Sequence, residues 1–325
     1  MRLLPLRLVF VAALTPVSAA AFDCNKATTA AEKAICADPA ARAADAAMAD
    51  AFRKRLATES PSAKRTLLAA QGRWLQQRDR DCADSKPLAA CLAEQSARRR
   101  AFLAGEPEAG PGAPGRLAPA FRIRNGSKSK ADLDLQLLKY PAPATPAERA
   151  FNAAVDNLVG PLDEPQPGEP NPGGYAHDRT MRLVYASPQL ISAHLWGYDD
   201  QGGAHPSTFS GDINILVRQG RQAKLADLLD IGGAKSVYAL CLKQVIAAKK
   251  ARMGADAPVG PDFIKELTKN VAEATGKLDA WSFAADKATV AYDPYAVGAY
   301  AEGAYECVIA YATLKPLAKA DFPLP

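Results

Sequence analysis

The chain has no C-x-x-C pair, no serine or cysteine in a nucleophile elbow, and no two carboxylates set apart as an acid and a base. Thiol–disulfide exchange and triad-type acyl transfer therefore have no visible carrier. Histidine is scarce: His177, His194 and His205 fall in one stretch beside Asp178, Asp199 and Asp200. A zinc site needs three or four converging ligands with outer support. His194 alternates with Leu195 and reads as a hydrogen-bonded sheet residue, while His205, after Gly202-Gly203, reads as a turn residue bonded to backbone. The expectation is a protein without metal or cofactor that binds rather than catalyses. Beyond the N-terminus no run approaches the roughly 18 apolar residues that span a bilayer, so no membrane span is expected. Long basic runs are missing too, because Arg and Asp are interspersed, and nucleic acid is not an expected partner.

What is present begins with an address. Met1, Arg2 and Arg7, then apolar Leu8 to Leu14, then Ser18-Ala19-Ala20-Ala21 read as a signal peptide over residues 1–21, cleaved after Ala20 or Ala21. That predicts a periplasmic or secreted protein. Phe22 and Asp23 before Cys24 are not the small residues a lipid-attachment box needs. Six cysteines in an exported chain read as disulfides. Cys24, Cys36, Cys82 and Cys91 allow three pairings, of which Cys24–Cys36 with Cys82–Cys91 closes the shortest loops; Cys241 and Cys307 are expected to tie a long helix to the last strand.

Residues 22–104 read as an all-α disulfide-bonded module of four helices. Thr29-x-x-Glu32 is a capping box, and Asp38-Pro39 and Ser60-Pro61 each pair an N-cap with proline at the first helical position. A fourth helix is expected from about Pro87 to Leu103. Gln71, Trp74, Leu75 and Arg78 share one face, which predicts Trp74 and Leu75 inside and the surrounding Arg and Asp in water. The module carries fifteen Lys and Arg against ten Asp and Glu; residues 105–325 carry twenty-three against twenty-five.

Residues 105–118 are dominated by Pro and Gly and read as a hinge that lets the two parts move. Beyond it, over residues 119–325, the period changes from 3.6 to 2. Leu133, Leu135 and Leu137 alternate with Asp132, Asp134 and Gln136, and further strands are expected near 181–186, 190–198, 208–217, 281–284, 288–292 and 305–311. A capping box at Thr145-x-x-Glu148 and helices near 225–229, 234–252 and 262–274 complete an α+β domain with a mainly antiparallel sheet and helices on one side. The long Gly160–Gly174 segment reads as a binding loop or a disordered one. Two loops stand out as candidate contact surfaces. Gly202, Gly203 and His205 lie in the first; Pro294, Tyr295 and Tyr300 lie in the second, where tyrosine beside glycine offers rigid amphipathic area.

Phe22-Asp23-Cys24, Glu32-Lys33-Ala34-Ile35-Cys36, Gln71-x-x-Trp74-Leu75-x-x-Arg78-Asp79 and Cys91-Leu92 resemble the LprI-type family of bacterial envelope proteins, named for a lysozyme inhibitor. Ser96-Ala97, where that family commonly has tyrosine, and the Asp79-Arg80-Asp81-Cys82 spacer depart from its pattern. Gly202-Gly203-Ala204-His205-Pro206, Gly211-Asp212-Ile213-Asn214-Ile215, Asp293-Pro294-Tyr295 and Leu314-Lys315-Pro316 resemble the extracellular domain of RsiV-type anti-sigma factors and PdaC-type envelope proteins. Proline is frequent there where Ala299 stands, so the second loop is expected to be less rigid. The two resemblances together imply an exported binding protein aimed at a lysozyme-type muramidase, with one loop entering the sugar cleft; a cell-wall component is the alternative partner. Animal lysozymes are basic, so the acidic second part is the expected contact.

Overall fold

The computed structural model describes residues 23–165, 174–254 and 260–325. The expected signal segment and residues 166–173 of the Gly160–Gly174 loop lie outside the described residues.

Four helices form the first module: α1 (Ala30–Ala37), α2 (Pro39–Thr58), α3 (Pro61–Cys82) and α4 (Leu88–Ala104). Each of the three start signals works as the chemistry demands. Thr29 Oγ accepts from the Glu32 amide while the Glu32 carboxylate accepts from the Thr29 amide, and Asp38 and Ser60 cap the next two helices. Cys24–Cys36 and Cys82–Cys91 are the bonded pairs, so the shortest-loop pairing is the one adopted. Among the described residues no helix is long and apolar enough to cross a membrane.

The second part is a six-stranded sheet, β1 (Ala118–Arg124), β2 (Asp132–Lys139), β3 (Ala176–Ala186), β4 (Leu190–Asp200), β5 (Ser207–Leu216) and β6 (Arg221–Gln222), in that order and antiparallel except for β2 against β3. The parallel step needs a crossover, supplied by α5 (Pro146–Val159). Phe151, Ala154 and Val155 of α5 cover one sheet face with Leu135, Leu183, Leu195 and Ile213. A smaller sheet, β7 (Trp281–Phe283), β8 (Lys287–Tyr292) and β9 (Tyr305–Ala310), packs with α7 (Ile231–Met253) and α8 (Pro261–Thr275); α6 (Leu225–Leu228) and α9 (Tyr311–Leu314) are short. Cys241 on α7 is bonded to Cys307 on β9, as expected.

Three readings change. Strand β1 gave no clear alternation in the sequence, yet it forms the edge of the sheet, where Pro119 is tolerated. The helices of this part are not confined to one side, since α5 covers one face and α7 and α8 pack with the smaller sheet on the other; α3 and α4 of the first module also reach over that opposite face, where Arg73 of α3 pairs with Asp132 (2.5 Å) and Arg99 of α4 donates to Gln136 (2.6 Å). The smaller sheet lies over the far end of that same face, where the Phe283 amide donates to Ser192 and Asn214 donates to the Leu278 and Trp281 carbonyls. Finally, the Pro/Gly stretch is not a free hinge. The register of β2 with β3 ends at Thr180, and the stretch takes up backbone groups beyond that point, with Glu108 N donating to Leu183 O, Ala186 N to Ala109 O and Gly112 N to Ala186 O. Gly110 is required there, at φ +93° with a Cβ position only 2.3 Å from the Ala186 carbonyl oxygen. Leu67, Phe102 and Leu103 of the helices share one apolar cluster with Leu117, Leu135 and Leu137.

Candidate binding surface

The two loops singled out by composition meet. Strand β4 runs into the Gly202–His205 turn, in which Gly202 sits at φ +73° and its amide donates to Asp200 (2.9 Å). The second loop leaves β8 at Asp293, whose carboxylate accepts from the Ser210 amide (2.9 Å) and hydroxyl (2.7 Å) on β5, so the loop is pinned over the first. His205 lies flat on Tyr300, ring centroids 3.8 Å apart and planes 16° from parallel. Its Nδ1 is 2.9 Å from the Pro206 carbonyl, which can only accept; in the neutral ring the proton is on Nδ1, and Nε2 accepts from the Tyr295 hydroxyl at 3.1 Å. Tyr300 also donates to the Pro206 carbonyl (2.8 Å). His205 thus bonds to backbone, as read from the sequence, and also holds the opposite loop.

Tyr295 is the tip of this cluster. It is 65% exposed and is the sole non-glycine residue with positive φ among those described (+73°). A bulky residue held in that conformation is strained unless its surroundings over-determine it. The turn around it is closed by the Ala296 amide, which donates to the Asp293 carbonyl (3.0 Å), and the loop beyond is held by Glu302, which forms an ion pair with the fully buried Lys249 and accepts from the Ala299 amide (2.9 Å) and the Tyr305 hydroxyl (2.8 Å). Proline at 299 has no amide proton to give, so alanine does not loosen this loop; its N–H is part of the clamp. Gly298 admits Lys249, whose Nζ would be 2.5 Å from a Cβ. Pro294 is half-buried beside the tip, and Gly202 and Gly203 are exposed on the opposing turn.

The other two histidines are apart from this cluster. His177 is buried with Nδ1 2.6 Å from Asp199 and Nε2 2.9 Å from the Asp163 carbonyl. His194 on β4 meets Asp212 on β5 at 3.0 Å. Burial works to lower the His194 pKa, but the hydrogen bond and charge of Asp212 outweigh it and the net shift is upward.

A second feature was missed by sequence reasoning. Between α3, α4 and the polar face of β2, β3 and β4 lies a groove of about 690 Å³. Its floor is built on two cross-strand rows set by register: Asp134 beside Asp178, with Tyr198 next in the row outside the lining, then Gln136 beside Thr180 beside Trp196. Trp74 of α3 stands on the helical side. Burial, then repulsion from Asp134 and Asp132, pushes the Asp178 carboxyl up to about 6, against the pull of Arg73 and Arg179. The alternating polar residues were visible in the sequence. Which rows they form depends on a parallel register that no local pattern encodes.

The class defined by these observations is a disulfide-bonded helical module docked on an α+β domain that presents a clamped aromatic loop pair. Residues 24–103 match the family model described as LprI, lysozyme inhibitor LprI. No curated protein matches the chain. Among solved structures the chain is similar to a member of the DUF3298 family from Bacteroides fragilis, with 12% identity, 63% of this chain and 94% of that one covered, and a TM-score of 0.46. It is also similar to a DUF3298 family protein from Pseudomonas aeruginosa PAO1, with 20% identity, coverage of 66% and 97%, and a TM-score of 0.43.

Proposed function

We propose that this is an exported envelope protein that binds a lysozyme-type muramidase and occludes its substrate cleft without chemistry of its own. The observation that carries the reading is the match of residues 24–103 to a lysozyme-inhibitor family. The resemblance of residues 122–316 to the RsiV/PdaC-type domain supports the same target. Mechanistically, the loop pair supplies the insert: Tyr295 projects at the tip, His205 and Tyr300 stack behind it, Pro294 stiffens its base, and Gly202 and Gly203 leave room for an opposing wall. A sugar cleft that works by two carboxylates is open to hydroxyl donors, and the Tyr295 hydroxyl is the outermost one offered. Fixing that residue before contact removes the entropy cost of ordering it on binding.

The test is clearance of a cell-wall suspension by an animal lysozyme in the presence of the whole oxidised chain. Inhibition is expected at micromolar concentration, and Tyr295→Ala, at an exposed position, is expected to weaken it about 30-fold, the scale of a central contact residue worth about 2 kcal/mol. Unimpeded clearance at micromolar protein, or full inhibition by a correctly folded Tyr295→Ala chain, overturns the reading.

A further inference from the structure

The groove between the helical module and the sheet is separate from the loop tip and is not needed for occlusion of an enzyme. Its size is that of a small-ligand site, and its place at the junction of two folded parts is where such sites concentrate. Two properties narrow the occupant. The first is an aromatic platform: Trp196 is 39% exposed and stacks beside Tyr198 (centroids 6.3 Å, planes 27° apart), with Trp74 across the groove. An indole left open on a sheet face forgoes burial that a tryptophan otherwise finds, and a ligand with a flat apolar face restores it.

The second property is balance of charge. The lining holds five arginines and four aspartates. Arg73, Arg78, Arg98 and Arg182 are already paired with Asp132, Asp45, Glu94 and Glu108 respectively, which leaves an anionic ligand a single exposed guanidinium, that of Arg80, and no cluster of free cations. The charge that opposes a strongly cationic ligand is that of Arg80, which donates to neutral Gln77 (2.6 Å). What is left over is acceptor capacity: the Asp178 carboxylate takes no hydrogen bond from any described residue, and Asp134, its register neighbour on β2, is bonded at one oxygen by Gln136 (2.8 Å). Like charges set side by side on a sheet face are destabilising, so this pair costs the fold stability. A neutral molecule with one apolar face and several hydroxyl donors at its rim satisfies both properties. That describes a pyranose.

We propose that the groove binds an uncharged pyranose oligosaccharide, stacked on Trp196 with its hydroxyls donated to Asp178 and Asp134. The site does not depend on the muramidase reading, and its test contains no enzyme. Calorimetric titration of the full oxidised chain with an N-acetylglucosamine tetramer and, separately, a glucose tetramer is expected to give saturable binding of at least one of them with Kd below about 1 mM. Trp196→Ala is expected to weaken it at least tenfold. Asp178→Asn is expected to do the same at pH 7.5, and binding by the parent is expected to fall as the pH drops below 6 and the acceptor is protonated. Circular dichroism separates these effects from misfolding, since Trp196 is on the surface. No heat from either tetramer at millimolar concentration overturns the proposal. So does undiminished binding by a folded Trp196→Ala chain, or saturable binding of spermidine or tripolyphosphate in place of the sugars.

Discussion

Asp178 shows how a single carboxylate carries both a cost and a use. Its folded-state pKa of about 6 lies above the ordinary value of 3.8, so the folded chain holds the proton more tightly than the unfolded one. Stability contributed this way is present near pH 4, declines as pH rises through 6, and stays low above it. Asp178→Asn removes the charge and is expected to be more stable than the parent at pH 8 by roughly 1 kcal/mol, discounted for solvent around a half-exposed group, and equal to it near pH 4. Urea denaturation at the two pH values checks this; a parent chain more stable at pH 8 contradicts it. The same scale shows where residue-level reading stops. The Gln71–Arg78 face was legible as one stripe, but Arg78 turned out deeper than Trp74, because Asp45 arrives from α2 to meet it at 3.1 Å with both side chains nearly inaccessible. A charged residue reads as solvated until its partner is placed, and that partner is 33 positions away.

At the scale of elements, start signals were the reliable part. Thr29, Asp38, Ser60 and Thr145 cap the helices their spacing announced, since a cap is satisfied within four residues. Strand β2 was visible through alternation, β4 and β5 were placed close to their bounds, and β3 was foreseen only from residue 181 on; β1 was not seen, because Pro119 and Arg122 interrupt its pattern and its role comes from pairing with β2. The Cys241–Cys307 bond closes a loop of 66 residues that includes α8, β7 and β8 and ends on the strand leading out of the clamped loop. Replacing both cysteines by alanine is expected to cost about 2 to 4 kcal/mol in chemical denaturation. No change in midpoint would show that packing of α7 on β9 suffices without the bond.

At the scale of the whole molecule, the expected hinge is replaced by an interlock. Arg99 of α4 is 3% exposed and donates to Gln71 on its own side and Gln136 on the other, with its guanidinium over Trp74, Phe102 and Phe121. Burial pushes its pKa down to about 9, still high enough to keep it charged at neutral pH. A buried charge bridging two units couples their unfolding, so calorimetry of the parent is expected to show one transition for the helices and the six-stranded sheet. Arg99→Ala is expected to lower its midpoint and to expose residues 105–118 to limited proteolysis. Two resolved transitions in the parent would show the parts to be independent. Composition located that segment but could not show what it pairs with, because its partner groups on β3 are free only on account of where β2 stops.

Strand β4 gives this arrangement one more consequence. Trp196 and the turn that begins after Asp200 belong to the same strand, and four residues of extended chain fix them about 13 Å apart. The strand is a ruler with a shelf at one mark and a hook at its end. Lengthening or recolouring the hook leaves the shelf where it is, so each can be retuned by mutation without disturbing the other, and the spacing between them is inherited unchanged.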